Sequence, residues 1–257
     1  MSAIQLTVLG SGTSMGVPTL GCHCAVCEST DPHDKRTRPS ILLQHEGRNV
    51  VIDTTPDFRA QAMREHIDRL DAVLYTHAHA DHILGLDDIR PFNLKQKTLI
   101  PIYGSAETFA TIQRQFSYIF DDAPTESSLP GVELHAIDGP FDVAGMHFVP
   151  IPARHGPQPV LGFRFGKAAY LTDFSSVPES SKELLRGLDD FILDALRYVP
   201  HPMHSNVAQS LALVEELKPK RAWFTHICHD LSHAATNASL PVNVQLAYDG
   251  LRFEVQV

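Results

Sequence analysis

No run of about eighteen apolar residues occurs in this chain, so no segment reads as a helix able to cross a bilayer, and no membrane partner is expected. Basic residues are also in short supply. Lys and Arg number 21 against 30 Asp and Glu, a formal charge of -9, and no Lys/Arg cluster is present to track a phosphate backbone. That balance argues against long nucleic acid while leaving room for a small anionic substrate drawn to a local cationic centre. There is no internal repeat, and the opening residues MSAIQLTVLG lack the basic stretch and apolar core of a secretory signal, so a cytoplasmic location is expected. Cysteine is scarce, at 4 of 257 residues. In a reducing compartment so few cysteines are ligands or inert core thiols rather than disulfides. The length suits one large α/β or β-sandwich domain over 1–257; it does not set the oligomeric state, and a homodimer is compatible with it.

What is present is strand-rich. IQLTVLG, SILLQH, NVVIDT and AVLYT read as strands punctuated by turn residues, as do MHFVPIP, LGFRFG, AAYLTD and DFILDAL later on. PDFRAQAMREH reads as a helix with Thr55 as N-cap and Pro56 at the first helical position, and SAETFATIQRQFSYIF as a second helix. DDAPTESSLPG, residues 121–131, is the most linker-like stretch and reads as a loop, a candidate lid. NVAQSLALVEEL places Val207, Leu211, Val214 and Leu217 on one helical face. RAWFTH then reads as a strand, and VQLAYDGLRFEV as a hairpin turning at Asp249-Gly250. Strands flanked by helices in two successive halves suggest two packed sheets with helices outside.

The chemistry concentrates at the exit of AVLYT, where THAHADH supplies His77, His79, Asp81 and His82. Three imidazoles and a carboxylate this close cannot be core packing, because buried polar groups need partners. A solvated His-rich loop would tolerate any spacing and would not need an apolar strand before it. The spacing suits two metals, with His77 and His79 toward one and Asp81 and His82 toward the other. His155, Asp173 and His226 each stand where a strand-like run meets a loop, a usual address for site residues, and together they would complete two sites.

A second metal signature precedes it. GCHCAVC carries Cys22, Cys24 and Cys27, three-quarters of a closed tetrahedral zinc site. THICHDLSH offers two fourth ligands, Cys228 and His229. Residues two apart in an extended segment share a side, so Cys228 should follow His226 and His229 should turn away; that parity is loose where a strand becomes a loop and leaves both open. GSGTSMG has the small residues of a phosphate cradle without the Lys-Ser/Thr ending of a P-loop, so we read it as a tight turn delivering Cys22. Arg90, in GLDDIRPFN with Asp87 and Asp88, either pairs with Asp87 on a helix surface or offers an arginine fork to a phosphate oxygen.

THAHADH, with Asp53 upstream in VIDTTPDF and the later His155, Asp173 and His226, resembles the metallo-β-lactamase superfamily. LGSGTSMGVPTLGCHCAVC and THICHDLSH resemble, within it, the branch of the cyclic phosphodiesterase of carbon-phosphorus lyase pathways, related to the pyrroloquinoline quinone biosynthesis protein B. The resemblance implies an α/β fold, a four-layered αβ/βα sandwich. It implies a hydrolase with two divalent transition metals, Mn or Zn with Fe as an option. One would be held by His77, His79 and His155, the other by Asp81, His82 and His226, with Asp173 bridging and Asp53 behind the ligands. It selects His229 as fourth ligand of a structural zinc with Cys22, Cys24 and Cys27, and places His204, in HPMHSN, facing the metals; His204 and Asp81 are the expected catalytic residues. The implied reaction is hydrolysis of a small phosphodiester, cyclic substrates included. A thioesterase or lactonase could use the same centre, and a non-catalytic metal-binding or carrier protein is the non-enzyme alternative; a transfer-RNA nuclease is disfavoured by the net charge and the lack of a basic insertion.

Overall fold

The computed structural model describes residues 3–121 and 127–257. Of the candidate lid, 121–131, residues 122–126 lie outside the described residues. In chain order the strands are β1 (Ile4–Gly10), β2 (Ser40–His45), β3 (Arg48–Ile52), β4 (Ala72–Leu74), β5 (Ile100–Gly104), β6 (Val132–Ala136), β7 (Phe141–Val143), β8 (Met146–His155), β9 (Gln158–Phe165), β10 (Ala168–Leu171), β11 (Asp190–Asp194), β12 (Arg221–Thr225), β13 (Val244–Leu246) and β14 (Arg252–Val255). They form two sheets, in the orders β14-β1-β2-β3-β4-β5-β6 and β13-β12-β11-β10-β9-β8-β7. Each sheet is antiparallel on one side and parallel on the other: β3 to β6 run parallel in the first, β10 to β13 in the second.

Alternation along the strands explains the layering. Ile41 and Leu43 on β2 and Val50 and Ile52 on β3 join Phe148, Phe163, Tyr170 and Trp223 from the other sheet in a core between the sheets. The intervening Leu42 and Val51 point the other way, onto Phe58, Phe92, Phe109 and Ile112 of the helices Phe58–Arg64, Arg90–Gln96 and Ala106–Gln115. On the second sheet Ile192 faces inward while Phe191 and Leu193 meet Val207, Val214 and Leu217 of the helix Val207–Leu217. Strands buried on both faces need apolar residues at nearly every position, which is what these runs supply. The result is the expected four layers, helix-sheet-sheet-helix.

Several local expectations change. The first helix begins at Phe58 rather than after Thr55: Thr54 Oγ1 is 2.7 Å from the Tyr75 hydroxyl, and Thr55 Oγ1 accepts from Asp57 N at 3.0 Å, so both threonines are held in a turn before the helix. Gly85 lets the segment after His82 close on that turn, since a Cβ there would lie 2.1 Å from Thr55 O. The second expected helix breaks at Phe116 into Ala106–Gln115 and Ser117–Phe120. VQLAYDGLRFEV is not a hairpin. β13 pairs with β12 and β14 with β1, so Asp249-Gly250 carries the chain from one sheet to the other. The Asp249 carboxylate fixes that crossing by accepting from Ser11 N and Oγ and from Thr37 N and Oγ1, at 2.6 to 2.9 Å. The helix Val207–Leu217 starts where expected, with Asn206 and Gln209 forming a reciprocal cap, although its buried stripe includes Ser210 and Leu213, with Leu211 only partly covered.

Arg36 is fully buried and pins the segment after GCHCAVC to the loop beyond β12, donating to Asp34 Oδ1 (3.0 Å), Cys228 O (3.0 Å), Leu231 O (2.7 Å) and His33 O (3.2 Å). Arg36→Ala leaves the Asp34 carboxylate buried without its cation and should cost about 3–5 kcal/mol. Arg36→Lys should recover only part of this, because an ammonium cannot span four acceptors. Urea unfolding measures both, and a loss under about 1 kcal/mol for Arg36→Ala would contradict this role.

Candidate metal centre

The site lies where the carboxyl ends of strands from both sheets meet, the usual ligand address of open α/β sheets. Asp53 follows β3, His77 stands three residues past β4, His155 ends β8, Asp173 stands two past β10, Asp194 ends β11, and His226 follows β12. Asp53, Asp173 and His226 all have left-handed backbones, with φ of 67°, 52° and 56°. Non-glycine residues pay for such conformations, and they persist where surrounding structure holds a side chain in a required direction.

Two His/Asp groups form, each with its ligand atoms within 4.8 Å of one another: His77, His79, His155 and Asp173; and Asp81, His82, Asp173 and His226. Asp173 belongs to both. Its Oδ1 is 3.4 Å from His82 Nε2, and its Oδ2 is 3.2 Å from His226 Nε2 and 3.9 Å from His77 Nε2. Further groups set the imidazoles in place. Asp53 Oδ2 lies 2.8 Å from His82 Nδ1, while Asp53 also accepts from Thr76 N and Oγ1. His155 Nδ1 donates to Met203 O at 2.6 Å, leaving Nε2 for the cluster. Histidine ligands commonly carry such outer partners, which fix tautomer and ring orientation.

His82 Nε2 and both ring nitrogens of His226 are buried with no hydrogen-bond partner. Buried polar atoms in this state need an explanation; a cation beside Asp173 satisfies His82 Nε2 and His226 Nε2, while His226 Nδ1 faces Asp194 Oδ1 at 4.0 Å. Mixed nitrogen and oxygen donors fit divalent transition metals. Electrostatics without a cation point the same way. Burial pushes the His155 pKa down to about 4 and holds His77 well below its ordinary value. For His226 burial opposes charging, but Asp173, Asp81 and Asp194 outweigh it and push the pKa up to about 9. Protons therefore substitute for cationic charge beside the carboxylates.

A third grouping, Asp194, His204 and His226, was only partly visible in the sequence. His204 Nδ1 is 2.9 Å from Asp194 Oδ2, and its ring stacks on His226 with centroids 4.6 Å apart. Asp194 went unread because DFILDAL looks like an ordinary apolar strand. Its signal is an aspartate at the carboxyl end of a parallel strand, the position type Asp53 and Asp173 share. Arg90 stands apart, 3.6 Å from Asp87 and donating to Ser128 O, and Asp87 also accepts from the Tyr118 hydroxyl. Asp88 lines a groove beside Phe92 and Lys95, away from the cluster.

Cys22, Cys24, Cys27 and His229 form a separate group, with His229 Nδ1 3.1, 3.5 and 3.5 Å from the three sulfurs. Cys228 is outside it; its sulfur accepts from Asp230 N. Backbone pairing joins the same two loops, since Gly12 bridges Ile227 and Ile227 N donates to Ser11 O.

A beta-lactamase superfamily domain model matches residues 48–227, which include every residue of the two His/Asp groups. The chain belongs to this superfamily. A crystal structure described as a new diphosphatase from the PhnP family superposes with a TM-score of 0.93 at 51% identity, covering 99% of this chain and 98% of that one, so the chain also belongs to the PhnP family. Zinc-bound PqqB from Methylobacterium extorquens shares the fold, with a TM-score of 0.77 at 19% identity over 97% of this chain and 99% of its own. An octanoyltransferase from Porphyromonas gingivalis is 37% identical over 96% of this chain but only 51% of its own length. The chain spans about half the length of the curated relatives it matches. Family membership and the His/Asp groups together support divalent-metal binding, and no helix among the described residues is long and apolar enough to cross a membrane.

The histidine shifts carry a sign. His226, raised from about 6.5 to about 9, contributes stability that is full below about 6.5 and lost as pH climbs through 9; His155, lowered to about 4, opposes folding below 6.5. Metal-free protein should therefore be most stable near pH 6.5 and lose on the order of 1–3 kcal/mol by pH 9, while metal-loaded protein shows a flatter profile. Urea midpoints against pH test this; a metal-free protein still gaining stability up to pH 9 would contradict it.

Proposed function

We propose that this chain is a metal-dependent hydrolase of small anionic phosphodiesters. The observation that carries the reading is Asp173, the carboxylate shared by two complete His/Asp groups. His77, His79 and His155 would hold one ion, Asp81, His82 and His226 the other, with Asp173 between them; Mn, Zn and Fe all suit these donors. When bound, such a pair activates water at neutral pH and offsets the charge that develops on a phosphoryl group during displacement. Cys22, Cys24, Cys27 and His229 have the donor set of a structural zinc, which would tie the loop after β1 to the loop carrying His226.

The chain's own residues supply orientation and a proton. Asp53 and Thr76 hold His82 and His77 in register, and Met203 O does the same for His155. Asp194 accepts from His204 Nδ1, which leaves Nε2 as the nitrogen that meets substrate and delivers a proton to the leaving oxygen. The PhnP-family diphosphatase supports phosphate esters as the substrate class, and a cyclic ester fits the same chemistry. The net charge of -9 supports a small substrate over long nucleic acid. An acyl substrate, thioester or lactone, is the second reading. What favours it is the octanoyltransferase relative, a protein about twice the length matched here.

Turnover of bis(p-nitrophenyl) phosphate set against an octanoyl thioester separates the two; thioester hydrolysis without phosphodiester hydrolysis would overturn the first. His204→Ala should lower kcat by about 10²- to 10⁴-fold with metal content unchanged. Asp194→Asn should follow in the same direction with a smaller loss. If His204→Ala releases metal instead, His204 is a ligand and its proton-donor role fails.

A further inference from the structure

Among the described residues, one cavity borders His77 and His79 and another borders His204, reaching Cys228 and His229 at its far wall, and their chemistry differs. One, about 390 Å³, adjoins His77 and His79 and is bordered by Ser105, Glu107, Thr108 and Gln158. Its one formal charge is the Glu107 carboxylate, and the rest of its polar lining is hydroxyl and amide. The other, about 320 Å³, lies beyond His204 and is bordered by Thr13, Ser14, Arg197, His201 and Asp230. Among the residues lining either cavity, Arg197 is the one lysine or arginine.

The donors on the His204 side are pre-set. Arg197 Nε and Nη2 bond to Val199 O and Pro200 O, which hold the guanidinium in place and leave donors on Nη1 and Nη2 uncommitted to those carbonyls. His201 Nδ1 accepts from Met203 N, so in its neutral form the remaining nitrogen, Nε2, carries the hydrogen. Thr13 and Ser14 bring hydroxyls from the loop after β1. Asp230, the opposing charge, is exposed, where water screens it, whereas Arg197 is half-buried. A guanidinium fork flanked by N–H and O–H donors suits the oxygens of a phosphate.

We infer that the cavity beyond His204 is the subsite for an anionic leaving group, a second phosphate, and that Arg197 determines the preference for it. The inference rests on the phosphodiester reading and narrows it to diphosphate diesters, oriented with the outgoing phosphate against Arg197 and the retained, uncharged substituent against Glu107, Ser105 and Thr108. The balance is simple. Water attacks the phosphorus on the His79 side and the bond from that phosphorus to the bridging oxygen breaks. The electron pair leaves with that oxygen, water's OH stays on the attacked phosphorus, and its hydrogen ends as a proton shared with the outgoing phosphomonoester or solvent. Charge on the departing phosphate rises as the bond breaks, so a fixed cation there favours the transition state over the bound substrate.

The test compares metal-loaded wild type, Arg197→Gln and Arg197→Lys on a nucleoside diphosphate sugar, which loses a sugar phosphate, and on bis(p-nitrophenyl) phosphate, which loses a p-nitrophenolate carrying no phosphate. Arg197→Gln should lose about 10- to 100-fold in kcat/KM on the diphosphate and less than about 3-fold on the aryl ester, with Arg197→Lys between. Calorimetric binding of an α,β-methylene nucleoside diphosphate sugar, which cannot be hydrolysed at the bridge, should weaken about 10-fold or more in Arg197→Gln. Equal losses on both substrates, or unchanged binding of the methylene analogue, would overturn the subsite. Wild type that hydrolyses neither phosphate ester would instead sink the phosphodiester reading on which it rests.

Discussion

The Asp173 carboxylate is buried, carries a left-handed backbone, and is surrounded by imidazoles that the protein alone leaves partly unpaired. Almost everything else in the site follows from that arrangement. A carboxylate at this depth is costly unless cations or donors compensate it, and the compensation must come from both sheets because Asp173 sits where they meet. Hence His77 arrives from the loop after β4, His82 from the short helix Ala80–Ile83 that follows it, His155 from β8 and His226 from the loop after β12. The four layers serve this meeting point: the inter-sheet core sets the distance between the strand ends, and the outer helices cover the apolar faces that hold the strands rigid.

The cysteine cluster and Arg36 act on the same meeting point from outside. His229 stands three residues beyond His226, and the bonds of Arg36 to Cys228 O and Leu231 O grip the chain on either side of it. The loop after β12 is thus held at His226 by the site, at Ile227 by backbone pairing and at His229 by the sulfurs. A side chain on a loop with so many anchors is held in one place, which is the condition for a preorganised site.

Much of the site was legible because its chemistry is written contiguously: THAHADH and GCHCAVC announce clusters able to hold a metal without any knowledge of the fold. His155, Asp173 and His226 were legible as strand-end residues, and the structure brings all three together. The choice of His229 over Cys228 needed the family resemblance, since strand parity fades at the loop where both residues stand. Asp194 was invisible because its strand is apolar on both faces, and its role depends on His204, which the chain places ten residues away. The end of the chain misled for a different reason. Asp-Gly specifies a bend but not which sheet edge receives the next strand, and the hydrogen bonds that decide it come from Ser11 and Thr37, more than two hundred residues earlier. Cavity charge, which separates Arg197 from Glu107, is likewise a property of the assembled loops.

The account stands on Asp173 joining two ions, with a third held separately by sulfur. Elemental analysis of protein purified without added metal, wild type beside Asp173→Ala and His229→Ala, addresses this directly. Wild type should hold about three metal equivalents, Asp173→Ala should fall toward a single zinc held by the cysteines, and His229→Ala should lose that zinc, while Cys228→Ser keeps it. A full metal complement in Asp173→Ala, or a zinc that depends on Cys228 rather than His229, would contradict the account.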